Sequence, residues 1–355
     1  MKIFKRIVLV VLSIAIIIIF LIISYFAINF IFNPWETNLT LEFQQNPESI
    51  CFYNETGFMS VQKSPVDALV NNNIPTWKAW NSAKSLILQT NNYGNTWEKI
   101  YNGTGSIPCL SYDNKNGSLY ALIRLYKESE GFSSKVIRTK NSGKIWETYL
   151  SSENYIKGIN FSNPFMPFMW STNSILFVKD GKIIKTVKLQ TEDYINKPVV
   201  DDNNNIWVSY NDTVAKIVQN GSVSIGKINH DIRVDAMSWN FSTGELFLVG
   251  RSGNSDITRL LKQDEIGKYT EIKEFRSLIA DALLIQDKSI LLLGTSTKKG
   301  GFFGMGTLLF LSRDNGENWK KDRNYPVFAR EPLFFNSDSS LWIYGAMERV
   351  KRRTI

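Results

Sequence analysis

The chain opens on an unbroken apolar stretch and then changes character. Ile7 to Phe32 is a run of 26 residues without a charge, its polar members being Ser13, Ser24, Tyr25 and Asn29. A helix needs about 20 apolar residues to cross the hydrocarbon core of a bilayer. The apolar core of a cleavable signal is shorter, ~7–15 residues, and is followed by a small-x-small site that is missing here. The pattern therefore predicts an uncleaved transmembrane signal anchor over 7–32. Lys2, Lys5 and Arg6 precede it, and the next basic residue is Lys63. The positive-inside bias then leaves 1–6 as a cytoplasmic stub and puts 33–355 outside the cytoplasm.

Beyond residue 32 the apolar positions come in short runs, each preceded by a turn-former. Seven such segments recur: Gly57-Phe58-Met59, Gly117-Ser118-Leu119-Tyr120, Asn173-Ser174-Ile175-Leu176-Phe177, Asn205-Ile206-Trp207-Val208, Gly244-Glu245-Leu246-Phe247, Lys288-Ser289-Ile290-Leu291 and Ser340-Leu341-Trp342-Ile343. Runs of this length bounded by turn residues are strands. They are expected to be the second strands of seven repeated units. Only 13 residues follow Trp342, too few for two more strands and a turn. Leu39-Thr40-Leu41-Glu42-Phe43 alternates apolar and polar positions, as a half-buried strand does. It is expected to complete the last unit and leave no open edge.

Three further segments share one spelling: Ser or Thr, any residue, Asp or Asn, any residue, Gly, two residues, Trp. They are Thr90-x-Asn92-x-Gly94-x-x-Trp97, Thr139-x-Asn141-x-Gly143-x-x-Trp146 and Ser312-x-Asp314-x-Gly316-x-x-Trp319. Each follows a strand-like run. The side-chain oxygen of Asn or Asp accepts turn N–H groups, Gly takes a positive φ, and the Trp ring is expected to fold back over the hairpin. The first two glycines are 49 residues apart and the second and third 173 apart, four steps of about 43, so three units without the motif should lie between.

These motifs resemble the Asp-box, or BNR repeat, of sialidases, sortilin-type receptors and photosystem assembly-factor propellers. The resemblance implies an all-β, seven-bladed β-propeller over 33–355, preceded by one N-terminal transmembrane helix. It also implies that the boxes are structural turns between third and fourth strands, away from the functional face. That other face would carry three long connections: 61–84 with Trp77, Lys78 and Trp80; 127–134 with Phe132; and 296–305 with Phe302 and Phe303. The aromatic run Phe161 to Trp170 is expected to border it. Trp77, Trp80, Phe132, Phe302 and Phe303 are the candidate partner-binding residues, since exposed rings with a few charges suit a protein partner, with a glycan as the alternative.

Composition narrows the chemistry. Aromatic residues make up 13 % of the chain, a load that suits half-buried pleated surfaces. Three of the 41 basic residues and none of the 33 acidic ones lie in the first 32, so the exported part is only mildly basic and nucleic acid is not an expected partner. His230 is the only histidine and there is no Cys-x-x-Cys, which argues against a metal site, and no cofactor is expected. Cys51 and Cys109 fit either a disulfide in an oxidising compartment or two buried thiols. Asp201-Asp202, followed by three Asn, reads as a turn rather than a catalytic pair. A sialidase-type glycosidase would need an arginine clamp for its carboxylate substrate. No arginine lies between Arg6 and Arg124, and Phe328-Ala329-Arg330-Glu331-Pro332 is a poor echo of the expected motif. The expectation is thus a bacterial envelope protein, periplasmic or at the cell surface, that binds or scaffolds a protein without catalysis. A sialidase-type glycoside hydrolase and a periplasmic immunity protein stand as alternatives.

Overall fold

The computed structural model describes residues 16–20, 36–41, 45–63, 75–127, 131–162, 166–228, 232–253, 257–296, 307–322, 334–335, 340–345 and 349–354. Among them, the strands form seven four-stranded antiparallel sheets. Sheets one to six are continuous in sequence: 45–104, 106–152, 158–188, 199–227, 232–276 and 278–322, with spatial order following chain order. The seventh takes three strands from 334–354 and its fourth, Glu36–Thr40, from the other end of the chain, with Glu36 opposite Arg352 and Thr40 opposite Arg349. Of the expected anchor, only Ile16–Phe20 are described. They are helical and exposed, and the rest of 7–32 lies outside the described residues. No described helix is long and apolar enough to cross a membrane.

The apolar core is divided among the seams between successive sheets. Phe58 and Ile87 of sheet one pack with Ile107, Leu119 and Ile137 of sheet two. Leu122 and Val136 of sheet two pack with Ile159 and Met169 of sheet three. Phe168 and Ile175 of sheet three meet Ile206 and Val208 of sheet four, and the pattern continues through Trp207 with Leu248 and Val249 with Leu292. Strands that bury both faces lose the strict alternation of a half-solvated sheet. Ile290, Leu291 and Leu292 in succession and Ser174–Lys179 show this, as does the wholly buried Ile206–Tyr210.

A first strand has a ladder partner on one side only, so its other backbone groups need partners elsewhere. Hydroxyls from the preceding sheet supply several. Ser60 Oγ donates to Ile107 O at 2.8 Å, while Ser49 Oγ accepts from Leu110 N at 3.1 Å. Ser111 Oγ accepts from Phe161 N at 2.7 Å and Ser238 Oγ from Ile285 N at 3.2 Å.

Six of the seven turn-preceded segments are second strands, and one is not. Asn173–Phe177 belongs to the third strand of its sheet, Ser174–Lys179. The second strand is Phe168–Trp170, all three residues buried, and the first is only Gly158–Asn160. The described residues that link first strand to second, Phe161, Ser162, Met166 and Pro167, lie on the same side as the boxes, with Phe161 and Met166 in the core, and of the described part of the run Phe161 to Trp170 only Trp170, opposite Gly158, ends on the other side. The two prolines made this stretch read as a loop and hid a three-residue strand inside it.

Candidate functional site

The three boxes repeat one geometry. Thr90 Oγ1 donates to Asn92 Oδ1 at 2.9 Å and accepts from Gly94 N at 2.9 Å, and Asn92 Oδ1 accepts from Thr96 N at 2.9 Å. Thr139, Asn141 and Gly143 make the same set, with Ile145 N as the far donor. So do Ser312, Asp314 and Gly316, with Asn318 N. All three join third to fourth strands, in sheets one, two and six, and three sheets without the motif lie between the last two. The tryptophans do more than fold back. Trp146 Nε1 donates to Ile100 O of sheet one at 3.2 Å and its ring meets Tyr101 edge-on at 5.2 Å. Trp319 meets Phe275 of sheet five at 5.0 Å, while Trp97 packs on Phe52 of its own sheet.

One box titrates and two do not. The N–H of Asn318, then the Ser312 hydroxyl, hold the Asp314 carboxyl below its usual value. A lowered folded-state value contributes stability that is present above the unfolded carboxylate pKa, near 4, and is lost as pH falls through the folded value. Asp314→Asn is therefore expected to melt nearer to wild type at pH 3 than at pH 7. Parallel melting curves as a function of pH check this, and a difference independent of pH would refute it.

The other side of the sheets carries the connections from second to third strands and from each fourth strand to the next sheet. The helix Thr76–Ser82 lies here, in the insertion of sheet one. Asn81 pins it, accepting Tyr126 N at 2.8 Å through Oδ1 and donating to Tyr126 O at 2.8 Å through Nδ2. This amide serves the end of Ser118–Lys127 where the neighbouring first strand, last paired at Ser106–Arg124, has run out. The pin brings Trp80 onto Tyr126, centroids 6.1 Å apart and nearly parallel. Tyr126 meets Phe132 at 4.8 Å, and Phe132 meets Tyr155 at 4.7 Å. Trp77, on the same helix, lies under Lys78 Nζ, 5.2 Å from the ring centroid. Trp77, Trp80 and Phe132 are all half-buried, and Phe302 and Phe303 lie outside the described residues.

Tyr155 ends the row in a motif that occurs twice. Arg124 stacks over Tyr155 at 4.8 Å and donates from Nε to Ile156 O at 3.1 Å and from Nη2 to Lys157 O at 2.7 Å. One sheet on, Lys157 lies over Tyr194 at 5.2 Å and donates to Ile195 O at 2.8 Å. Ile156 and Ile195 are fully buried. Burial, and after it the charge of Arg124, lower the pKa of Lys157. The sequence signal was the repeated Tyr-Ile ahead of each sheet, Tyr155-Ile156 and Tyr194-Ile195, read past because neither lies in a long loop. Arg124, Asn81, Tyr126, Tyr155, Lys157 and Tyr194 are thus the residues that sequence reasoning missed.

Other candidates resolve as structural. Cys51 and Cys109 are free thiols in this structure. Cys51 packs in the seam of sheets one and two, whereas Cys109 packs in the next seam and points its sulfur at Ile159 O, 3.5 Å away. Burial raises both thiols, Cys51 to about 12. Asp201 closes a turn, as its sequence suggested. His230 lies outside the described residues, and no group of three or more His, Cys, Asp and Glu side chains that could hold a metal ion occurs among those described. Arg138 pairs with Glu147, and Arg251 pairs with Asp235 through Nε at 2.9 Å and Nη2 at 3.0 Å.

No family model matches the chain, and no curated protein matches it in sequence. Solved structures do match in shape. The chain is similar to the WD40 β-propeller domain of Doa1, with TM-score 0.58 and 10 % identity over 90 % of this chain and 97 % of that one. It is similar to streptogramin B lyase, with TM-score 0.58 and 12 % identity over 90 % and 96 %. It is also similar to the extracellular domain of the putative one-component system BT4673 from B. thetaiotaomicron, with TM-score 0.57 and 10 % identity over 90 % of this chain and 39 % of that one. Identities this low carry the architecture alone, and the architecture is an all-β propeller.

Proposed function

We propose that this chain is a membrane-anchored, seven-bladed propeller of the Asp-box type, held outside the cytoplasm, that binds a protein partner without catalysis. The seven sheets and the closing strand Glu36–Thr40 support the blade count, and the apolar run 7–32 supports the anchor. The observation that carries the binding reading is the contiguous row Trp80, Tyr126, Phe132 and Tyr155 on the face opposite the boxes. Aromatic clusters that are partly exposed and backed by rigid strands are where binding energy concentrates. The cations beside the row, Arg124 and Lys157, already donate to backbone carbonyls. That use fits a positioning role better than a carboxylate clamp, and so favours a binding surface over a glycosidase site.

The test is capture of a stoichiometric partner from envelope extracts by the detergent-solubilised full-length protein. Trp80→Ala with Phe132→Ala is expected to weaken capture by about 30-fold or more, the scale of a lost hot spot of about 2 kcal/mol. Ile145→Ala, on an exposed box-side turn, should leave it unchanged. Equal capture by all three proteins, each with an unaltered melting curve, would remove this face from the binding reading.

A further inference from the structure

The strand that completes the seventh sheet sets how the domain meets its membrane. Glu36 lies opposite Arg352, which lies opposite Trp342, and the neighbouring pair Thr354 and Ser340 marks the start of that sheet's second strand. The chain therefore enters the domain on the side where first strands turn into second strands. In the six continuous sheets that side also carries the third-to-fourth-strand turns, and so the boxes. The other end of the entering strand, Thr40, leads over to Gln45 at the start of sheet one, on the aromatic side.

Only three residues, 33–35, separate Glu36 from the apolar run ending at Phe32. The four steps from Phe32 to Glu36 reach no farther than roughly 14 Å even fully extended. The entering strand itself, Glu36–Thr40, has five residues and spans about 17 Å, which is already more than the tether can reach. A tether so short, leaving from one side of so deep a domain, cannot bring the other side to the bilayer.

We infer that the box side of the propeller faces the membrane and the row Trp80, Tyr126, Phe132 and Tyr155 faces away from it. The partner is then a water-soluble protein, or one displayed on an opposing surface, and not a lipid or a bilayer-embedded segment. This inference rests on the anchor in the proposed function.

Full-length protein in liposomes bearing nitroxide-labelled headgroups tests it. One fluorophore is placed on Glu317→Cys, an exposed position of the box in sheet six, and in a second protein on Glu192→Cys, an exposed position between sheets three and four on the aromatic side. Wild type controls for labelling of Cys51 and Cys109, whose thiols burial keeps protonated. The Glu317→Cys probe is expected to lose most of its fluorescence and the Glu192→Cys probe to keep nearly all. Equal quenching, or the reverse order, in protein that resists carbonate extraction overturns the orientation and leaves the anchor standing. Protein released by carbonate overturns the anchor itself and the orientation with it.

Discussion

Gly143→Ala is expected to destabilise the propeller by about 3 kcal/mol, while Gly117→Ala, at an equally left-handed backbone position, should cost only about 1 kcal/mol. Both glycines sit on box-side turns with positive φ, +83° at Gly143 and +61° at Gly117. An alanine pays the same kind of backbone strain at each, on the order of 1 kcal/mol. What differs is the neighbour. A Cβ at Gly117 would meet nothing within 4 Å, whereas at Gly143 it would stand 2.6 Å from both the Cβ and the carbonyl oxygen of Ile100. Ile100 belongs to the fourth strand of the preceding sheet, and the same stretch receives the Trp146 indole N–H. The methyl would have to push two sheets apart at the point where the box docks them, and overpacking of this kind costs typically 1–3 kcal/mol. Urea unfolding of the two variants beside wild type measures the difference. Equal costs would mean that the box is a local hairpin device and that its contact with the preceding sheet carries no stability.

The same contact recurs where the box sequence does not. A Cβ at Gly181, on the two-residue turn of sheet three, would meet Tyr149 O of sheet two at 2.5 Å. The box motif is thus one spelling of a more general feature, a third-to-fourth-strand turn whose glycine lets it lie on the preceding sheet. This explains how far the sequence could be read. The boxes were legible because hydroxyl, amide and glycine at fixed spacing make a turn by purely local bonds, as Thr139, Asn141 and Gly143 do. The destination of the following ring was not, because a strand pattern tells which face a side chain takes and not which neighbouring sheet it meets. Trp146 reaches Ile100, 46 residues back in sequence. Sheet three was misread for the opposite reason. Its second strand is so short and so completely buried that Phe168-Met169-Trp170 shows neither alternation nor length, and the better-formed third strand took its place. On the aromatic face, Trp80 and Phe132 stood out because they lie in long connections. Tyr126 and Tyr155, which join them into one surface, lie at a strand end and in a short link. Their role depends on Asn81 and Arg124 reaching them from elsewhere in the chain.

Asp201→Ala is expected to be the costliest single change in the described structure outside the apolar core, about 4 kcal/mol, and Asp201→Asn about half of that. The carboxylate is 3 % exposed and fully used. Oδ1 accepts the backbone N–H groups of Asn203 at 2.9 Å and Asn205 at 2.8 Å. Oδ2 accepts Asn205 Nδ2 at 2.8 Å and the indole N–H of Trp207 at 2.9 Å, with Lys216 Nζ 3.9 Å away. Alanine would leave these donors without their acceptor in a site too enclosed for easy rehydration, and each stranded buried donor costs about 1–3 kcal/mol. Asparagine keeps one oxygen for the two backbone donors but turns an NH2 toward two other donors. The damage should also spread sideways. Trp207 is stacked on Trp239 of the next sheet at 6.2 Å, and Trp239 donates to Asp202 at 3.2 Å, so loosening one indole loosens the seam between sheets four and five. Chemical unfolding followed by tryptophan fluorescence separates the two levels. The expected result is a lower midpoint for both variants and, for alanine, an altered native-state emission. A cost below about 1 kcal/mol for Asp201→Ala would mean that water replaces the carboxylate at little penalty, and that the Asp-Asp-Asn-Asn-Asn turn is held by its backbone bond from Asn204 N to Asp201 O, and not by the buried charge.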